Sequence, residues 1–63
     1  MSKDRFIKVY GRLSENVRNE VIVAIKRDNI DKPYTWDSAY VEVSNDTPLG
    51  KEILKKLEKM ELI

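Results

Sequence analysis

From Phe6 to Leu13 the side chains alternate, with Ile7, Val9 and Leu13 on one side and Phe6, Lys8, Tyr10 and Arg12 on the other. A period of two in β-branched and aromatic residues predicts a half-buried strand. The pattern changes at Ser14. That serine is a good helix N-cap and Glu15 suits the positive end of a helix dipole. Val17, Val21, Ala24 and Ile25 then share one helical face. Ile22 and Val23 fall off that face. The run Val21-Ile22-Val23-Ala24-Ile25 equally describes a buried strand, able to pair with the first one as a hairpin. Residues 14–28 stay open between the two, with capping and spacing favouring a helix and propensity favouring a strand.

Further along, Asn29 is a helix stop, because asparagine tolerates the left-handed conformation. Asp31 reads as the next N-cap with Pro33 inside the first turn, and Thr35 is a second candidate cap with Asp37 close behind. Trp36, Ala39, Tyr40 and Val43 recur at i, i+3, i+4 and i+7, the spacing of an amphipathic helix. Residues 44–47 form a polar break. The Asn45-Asp46-Thr47 sequon inside it reads as helix-cap chemistry, with Thr47 or Asp46 as cap and Pro48 at the first helical position. In the last helix Leu49, Ile53, Leu57 and Met60 form one stripe. Lysines and glutamates cover the rest. The stripe reads first as core or a self-dimer seam, and second as a docking face for a protein partner.

Composition narrows what such a chain can do. Its 63 residues make a single domain, 1–63, and a chain this short is marginal as a monomer. With no cysteine and no histidine, neither disulfides nor a zinc site supply the missing stability, so a homodimer is expected. No apolar run approaches the roughly 20 residues that span a bilayer. Met1 to Arg5 lacks the apolar stretch of a secretory signal, so a cytoplasmic location is expected, away from any membrane. The usual general base and thiol nucleophile are missing. The only glycines, Gly11 and Gly50, fit no phosphate-binding loop, and the acids do not follow calcium-loop spacing. The expectation is a protein that binds rather than catalyses, with no catalytic residue, metal or cofactor.

The net charge of +1 is unevenly spread. Residues 1–13 carry Lys3, Arg5, Lys8 and Arg12 against Asp4 alone, whereas residues 14–46 carry an excess of acids. A basic end on a nearly neutral chain points to an anionic partner.

Residues 6–44 resemble the ribbon-helix-helix family, the CopG- and Arc-like repressors. The likeness rests on Phe6-Ile7-Lys8-Val9-Tyr10-Gly11-Arg12-Leu13 as a strand running into Ser14-Glu15-Asn16-Val17 as a helix start. A turn at Asn29-Ile30-Asp31 and a second helix on Trp36, Ala39, Tyr40 and Val43 complete it. The resemblance implies an α+β homodimer whose paired N-terminal strands enter the DNA major groove, with an extra C-terminal helix outside the motif. It also implies base contacts from Lys8, Tyr10 and Arg12 and phosphate contacts from Lys3, Arg5 and Lys32, in a transcriptional repressor or antitoxin-like regulator. The alternative is an N-terminal β-hairpin packed on two C-terminal helices. That fold would serve as a protein-interaction module, an inhibitor or accessory subunit without nucleic-acid binding, docking through Leu49, Ile53, Leu57 and Met60.

Overall fold

The computed structural model describes residues 2–63, which form a small α+β domain. Helix α1 (Ser2–Arg12) comes first. A single helical turn, α2 (Glu15–Arg18), leads into β1 (Val21–Arg27) and β2 (Ile30–Thr35), and helices α3 (Trp36–Ser44) and α4 (Pro48–Lys59) complete the chain.

The expected N-terminal strand is a helix. Phe6, Val9, Tyr10 and Leu13 also satisfy i, i+3, i+4 and i+7, so this segment carries both periods at once. A strand would put Phe6 and Tyr10 on the opposite face from Val9 and Leu13. The helix turns all four toward the core, where Phe6 is fully buried and the others pack around it. Asp4 in the first turn and Arg12 in the last agree with the helix dipole. The conflict is resolved at the expense of Ile7, which stays 40% exposed.

Helix and strand both appear between residues 14 and 28. Ser14 caps α2 by accepting from the backbone N–H of Val17 at 3.4 Å. The helix then ends after one turn, so Val17 does not share a helical face with Val21, Ala24 and Ile25. The β-branched run forms β1, and its partner is β2 rather than residues 6–13. Asp28 and Asn29 supply the reason, with φ of 50° and 65° between the paired ends Arg27 and Ile30. Two consecutive left-handed residues make a tight turn whose twist matches antiparallel strands. Asn29 thus adopts the conformation expected of it, but in a hairpin. Asp31 and Pro33 are strand residues rather than a helix start. Ile22 is the extra residue of a bulge between Val21 and Val23.

Val23, Ile25 and Tyr34 face the helices and are buried. Both strands are edges, and each is protected. Lys56 reaches from α4 to donate to the Ala24 carbonyl at 3.0 Å. Ala24 therefore presents its backbone away from β2. Its partner Pro33 has no N–H to offer on the far side.

The C-terminal helices follow the sequence closely. Thr35 caps α3 in a reciprocal box with Ser38, and Trp36, Ala39 and Val43 are buried. Thr47 caps α4, with Pro48 in its first turn. Ile53 and Leu57 are fully buried, Leu49 packs on the core, and Met60 lies just past the helix, 46% exposed. The expected docking stripe is thus largely occupied by the domain's own core. Gly50 also gains a purpose. Its Cα faces the backbone of α3, where a Cβ would collide with the carbonyl oxygen of Glu42.

Gly50→Ala is therefore expected to destabilise the fold by about 1–3 kcal/mol through overpacking, despite alanine's better helix propensity. Urea unfolding measures it. A stability equal to or above wild type would show that α3 and α4 separate freely.

Candidate functional site

No pocket opens among the described residues, and none of their acidic side chains gather in a group able to hold a metal ion. The candidate site is therefore a surface. Its position depends on the roll of α1, which is set by aromatic contacts on the inner face. Phe6 lies 5.5 Å from Trp36, and Tyr10 stacks on Tyr40 with 4.4 Å between ring centroids and 15° between planes.

Tyr10 is further locked at its hydroxyl, its ring and its backbone. The hydroxyl donates to Asp37 at 2.5 Å. The Arg18 guanidinium lies 4.1 Å from the ring centroid. Arg18 Nε and Nη2 also donate to the Tyr10 carbonyl oxygen at 3.1 and 2.9 Å. That carbonyl belongs to the last turn of α1 and also accepts from the Leu13 N–H at 3.1 Å, so the guanidinium adds charged donors at the negative end of the helix dipole. The hydrogen bond to Asp37 holds the Tyr10 pKa above its ordinary value, assisted by burial and by the Asp37 charge.

With Phe6 and Tyr10 turned inward, the opposite face of α1 meets solvent. At 3.6 residues per turn, Arg5, Lys8 and Arg12 fall within a sector of about 60° and span about 10 Å along the axis. All three are exposed, and among the described residues none has an ion-pair partner. Lys26 is likewise exposed with no ion-pair partner among the described residues, but it stands alone on β1, and several other cations are engaged within the chain. Lys3 pairs with Asp46 at 2.9 Å, Arg27 with Glu52 at 3.1 Å, and Lys32 lies over the Tyr34 ring at 5.7 Å. On α4 the exposed Lys51, Lys55 and Lys59 alternate with Glu52 and Glu58, which dilute their charge.

The residues expected to touch DNA are thus divided. Lys8 and Arg12 stay together and Arg5 joins them. Tyr10 leaves the group, because a helix places it on the side opposite Lys8 and Arg12. Lys3 and Lys32 sit on other parts of the surface, each with its own intramolecular partner. Arg18, Asp37 and Tyr40 had no expected role at this site, and they hold its supporting helix in place. Their signal in the sequence is long-range, since Asp37 and Tyr40 meet Tyr10 only through the packing of α3 on α1.

Comparison with protein-family models, with curated proteins and with solved structures found no match. No helix among the described residues is long and apolar enough to cross a membrane.

The Tyr10 proton provides a test of this locking. A raised folded-state pKa means that the stabilisation is complete below the ordinary tyrosine value of 10.0 and is lost as pH rises through the folded value. Tyr10→Phe should melt below wild type at neutral pH, and the gap should narrow above pH 10.0. A gap that stays constant in alkaline thermal melts would exclude the hydroxyl as its source.

Proposed function

We propose that this chain is a non-catalytic DNA-binding module that engages the duplex through the outer face of α1. The observation that carries the reading is the exposed group Arg5, Lys8 and Arg12, which make no ion pair among the described residues, with Asp4 the one acid near them on α1. Unpaired cations on a rigid helix suit a polyanion, because each phosphate neutralised releases condensed counterions. Arginine at positions 5 and 12 adds a planar fork matched to phosphate oxygens or to the guanine edge. Helix α1 takes the role that the ribbon-helix-helix resemblance gave to a strand. Action as a homodimeric repressor or antitoxin-like regulator belongs to the same proposal, since two copies would double a small basic face.

A protein-interaction module is the competing reading. It draws on the exposed side chains of Val21, Ile30 and Val41, which are 62%, 68% and 52% exposed. These lie on three different elements, whereas the cations lie on one helix face.

Salt dependence separates the readings. Three phosphate contacts predict a slope of log K against log salt of about −2.7, and a bound pair of copies about −5.4. Arg12→Ala should reduce the magnitude by about 0.9 per copy and weaken binding to all sequences similarly if its contact is to phosphate. Fluorescence anisotropy with a labelled duplex reads both quantities. Absence of binding at low salt would remove the DNA reading and leave the protein-interaction module.

A further inference from the structure

The two edges of the hairpin are closed to different degrees. On β2, Pro33 has no N–H, so a strand added there would lack a donor in mid-course. On β1, the pairing of Ala24 with Pro33 is of the type without mutual hydrogen bonds. Ala24 therefore turns its N–H and C=O outward, and Lys26, two residues on, does the same. Among the described residues Lys56 is the one side chain that reaches these groups, donating to the Ala24 carbonyl at 3.0 Å. It leaves the Ala24 N–H and the backbone of Lys26 uncovered.

The open edge also carries positive charge. Val23 and Ile25 are buried against the helices, so Lys26 projects from the opposite, solvent face of β1. Lys56 reaches the edge from α4, on the helix side. Both lysines are exposed, and neither forms an ion pair among the described residues. Asp31 sits across from Lys26 on β2, away from the open edge, without forming an ion pair, and Glu52 is held by Arg27.

An unpaired strand edge is a template for a further strand. A second copy of β1 suits it poorly, because self-pairing would line one seam with Lys26 and Lys56 from both copies. We propose that the outer edge of β1 binds an extended acidic segment of another protein as a third strand. Adjacent residues of a strand point to opposite faces, so one carboxylate meets Lys26 and its neighbour's meets Lys56. A backbone N–H of the segment replaces the Lys56 ammonium at the Ala24 carbonyl, and the released ammonium takes the carboxylate. Main-chain hydrogen bonds supply affinity, and the two lysines select acidic side chains. The edge is no part of the α1 face, so strand binding and duplex binding stand or fall separately.

The end-blocked peptide Val-Thr-Glu-Glu-Thr-Val is the probe, with its dilysine counterpart and a backbone N-methylated copy as controls. Hydrogen exchange read by NMR should slow at the Ala24 and Lys26 amides when the acidic peptide is added. In fluorescence anisotropy both controls should bind at least about tenfold more weakly than the acidic peptide. Lys26→Glu should weaken the acidic peptide by about tenfold and strengthen the dilysine one, since attraction and repulsion exchange places. Lys56→Gln keeps a donor for Ala24 without the charge, and should weaken the acidic peptide by roughly threefold even if Lys26→Glu fails to fold. Lysines that only shield the edge from aggregation would bind none of these peptides. Unchanged exchange at Ala24 and Lys26, or equal binding of acidic and dilysine peptides, would overturn the proposal. Equal binding of the N-methylated peptide would overturn it too, by showing attraction without a third strand. Each of those results leaves the DNA reading standing, and absence of duplex binding leaves the third strand standing.

Discussion

The packing of Phe6 and Tyr10 against Trp36 and Tyr40 fixes the roll of α1, and the character of the exposed surface depends on it. Phe6 is fully buried at the centre of this contact. Removing an aromatic ring from such a position typically costs 3–5 kcal/mol. Tyr10 adds direction to the packing. Its ring lies against Tyr40, its hydroxyl is tied to Asp37, and its carbonyl is held by Arg18. With those atoms fixed, a rotation of α1 is blocked from several sides, and Arg5, Lys8 and Arg12 have only solvent to face.

The rest of the domain supports that contact at small scale. An isolated two-stranded hairpin is marginal in water and needs a layer to pack on. Here α4 supplies it through Ile53 and Leu57, and Val23, Ile25 and Tyr34 are buried within the same core. Helix α3 joins the layers, since it packs on α1, α4 and β2. Its close approach to α4 depends on Gly50, and the chain between them is organised by Thr47, which accepts from the Gly50 N–H and donates to Glu42. The two glycines therefore play opposite parts, one serving the interior and the other facing solvent.

The elements legible in the sequence are those where local signals agree. In α4 the capping residue, the proline and the apolar spacing all point the same way, and the helix lies where they put it; in α3 the spacing and the cap Thr35 agree, whereas Asp31 and Pro33 pointed to an earlier start and lie in β2. Residues 14–28 carried conflicting signals, and both were physically real. Ser14 starts a helix, and the β-branched run ends it after one turn in favour of a strand. The left-handed pair Asp28 and Asn29 decided the strand's partner, a choice that apolar periodicity does not encode. At the N-terminus, alternation and helical spacing coexist in the same residues. Only the partners across the core, Trp36 and Tyr40, break that tie. The candidate site inherited the error in part. Lys8 and Arg12 share a face in a strand and in a helix alike, because a separation of four residues satisfies both periods. Tyr10, midway between them, shares that face only in a strand.

The central claim is that the roll of α1 creates a DNA-binding face from Arg5, Lys8 and Arg12. Amide chemical-shift mapping on an isotope-labelled sample, titrated with a short duplex at low salt, tests it most directly. The account predicts helical shifts for residues 2–12 in the free protein. On titration, the largest changes should fall on Arg5, Ile7, Lys8, Gly11 and Arg12, with the hairpin tip at Asp28 and Asn29 unaffected. Extended shifts for residues 6–13, or changes centred on the hairpin or α4 while α1 stays silent, would contradict it.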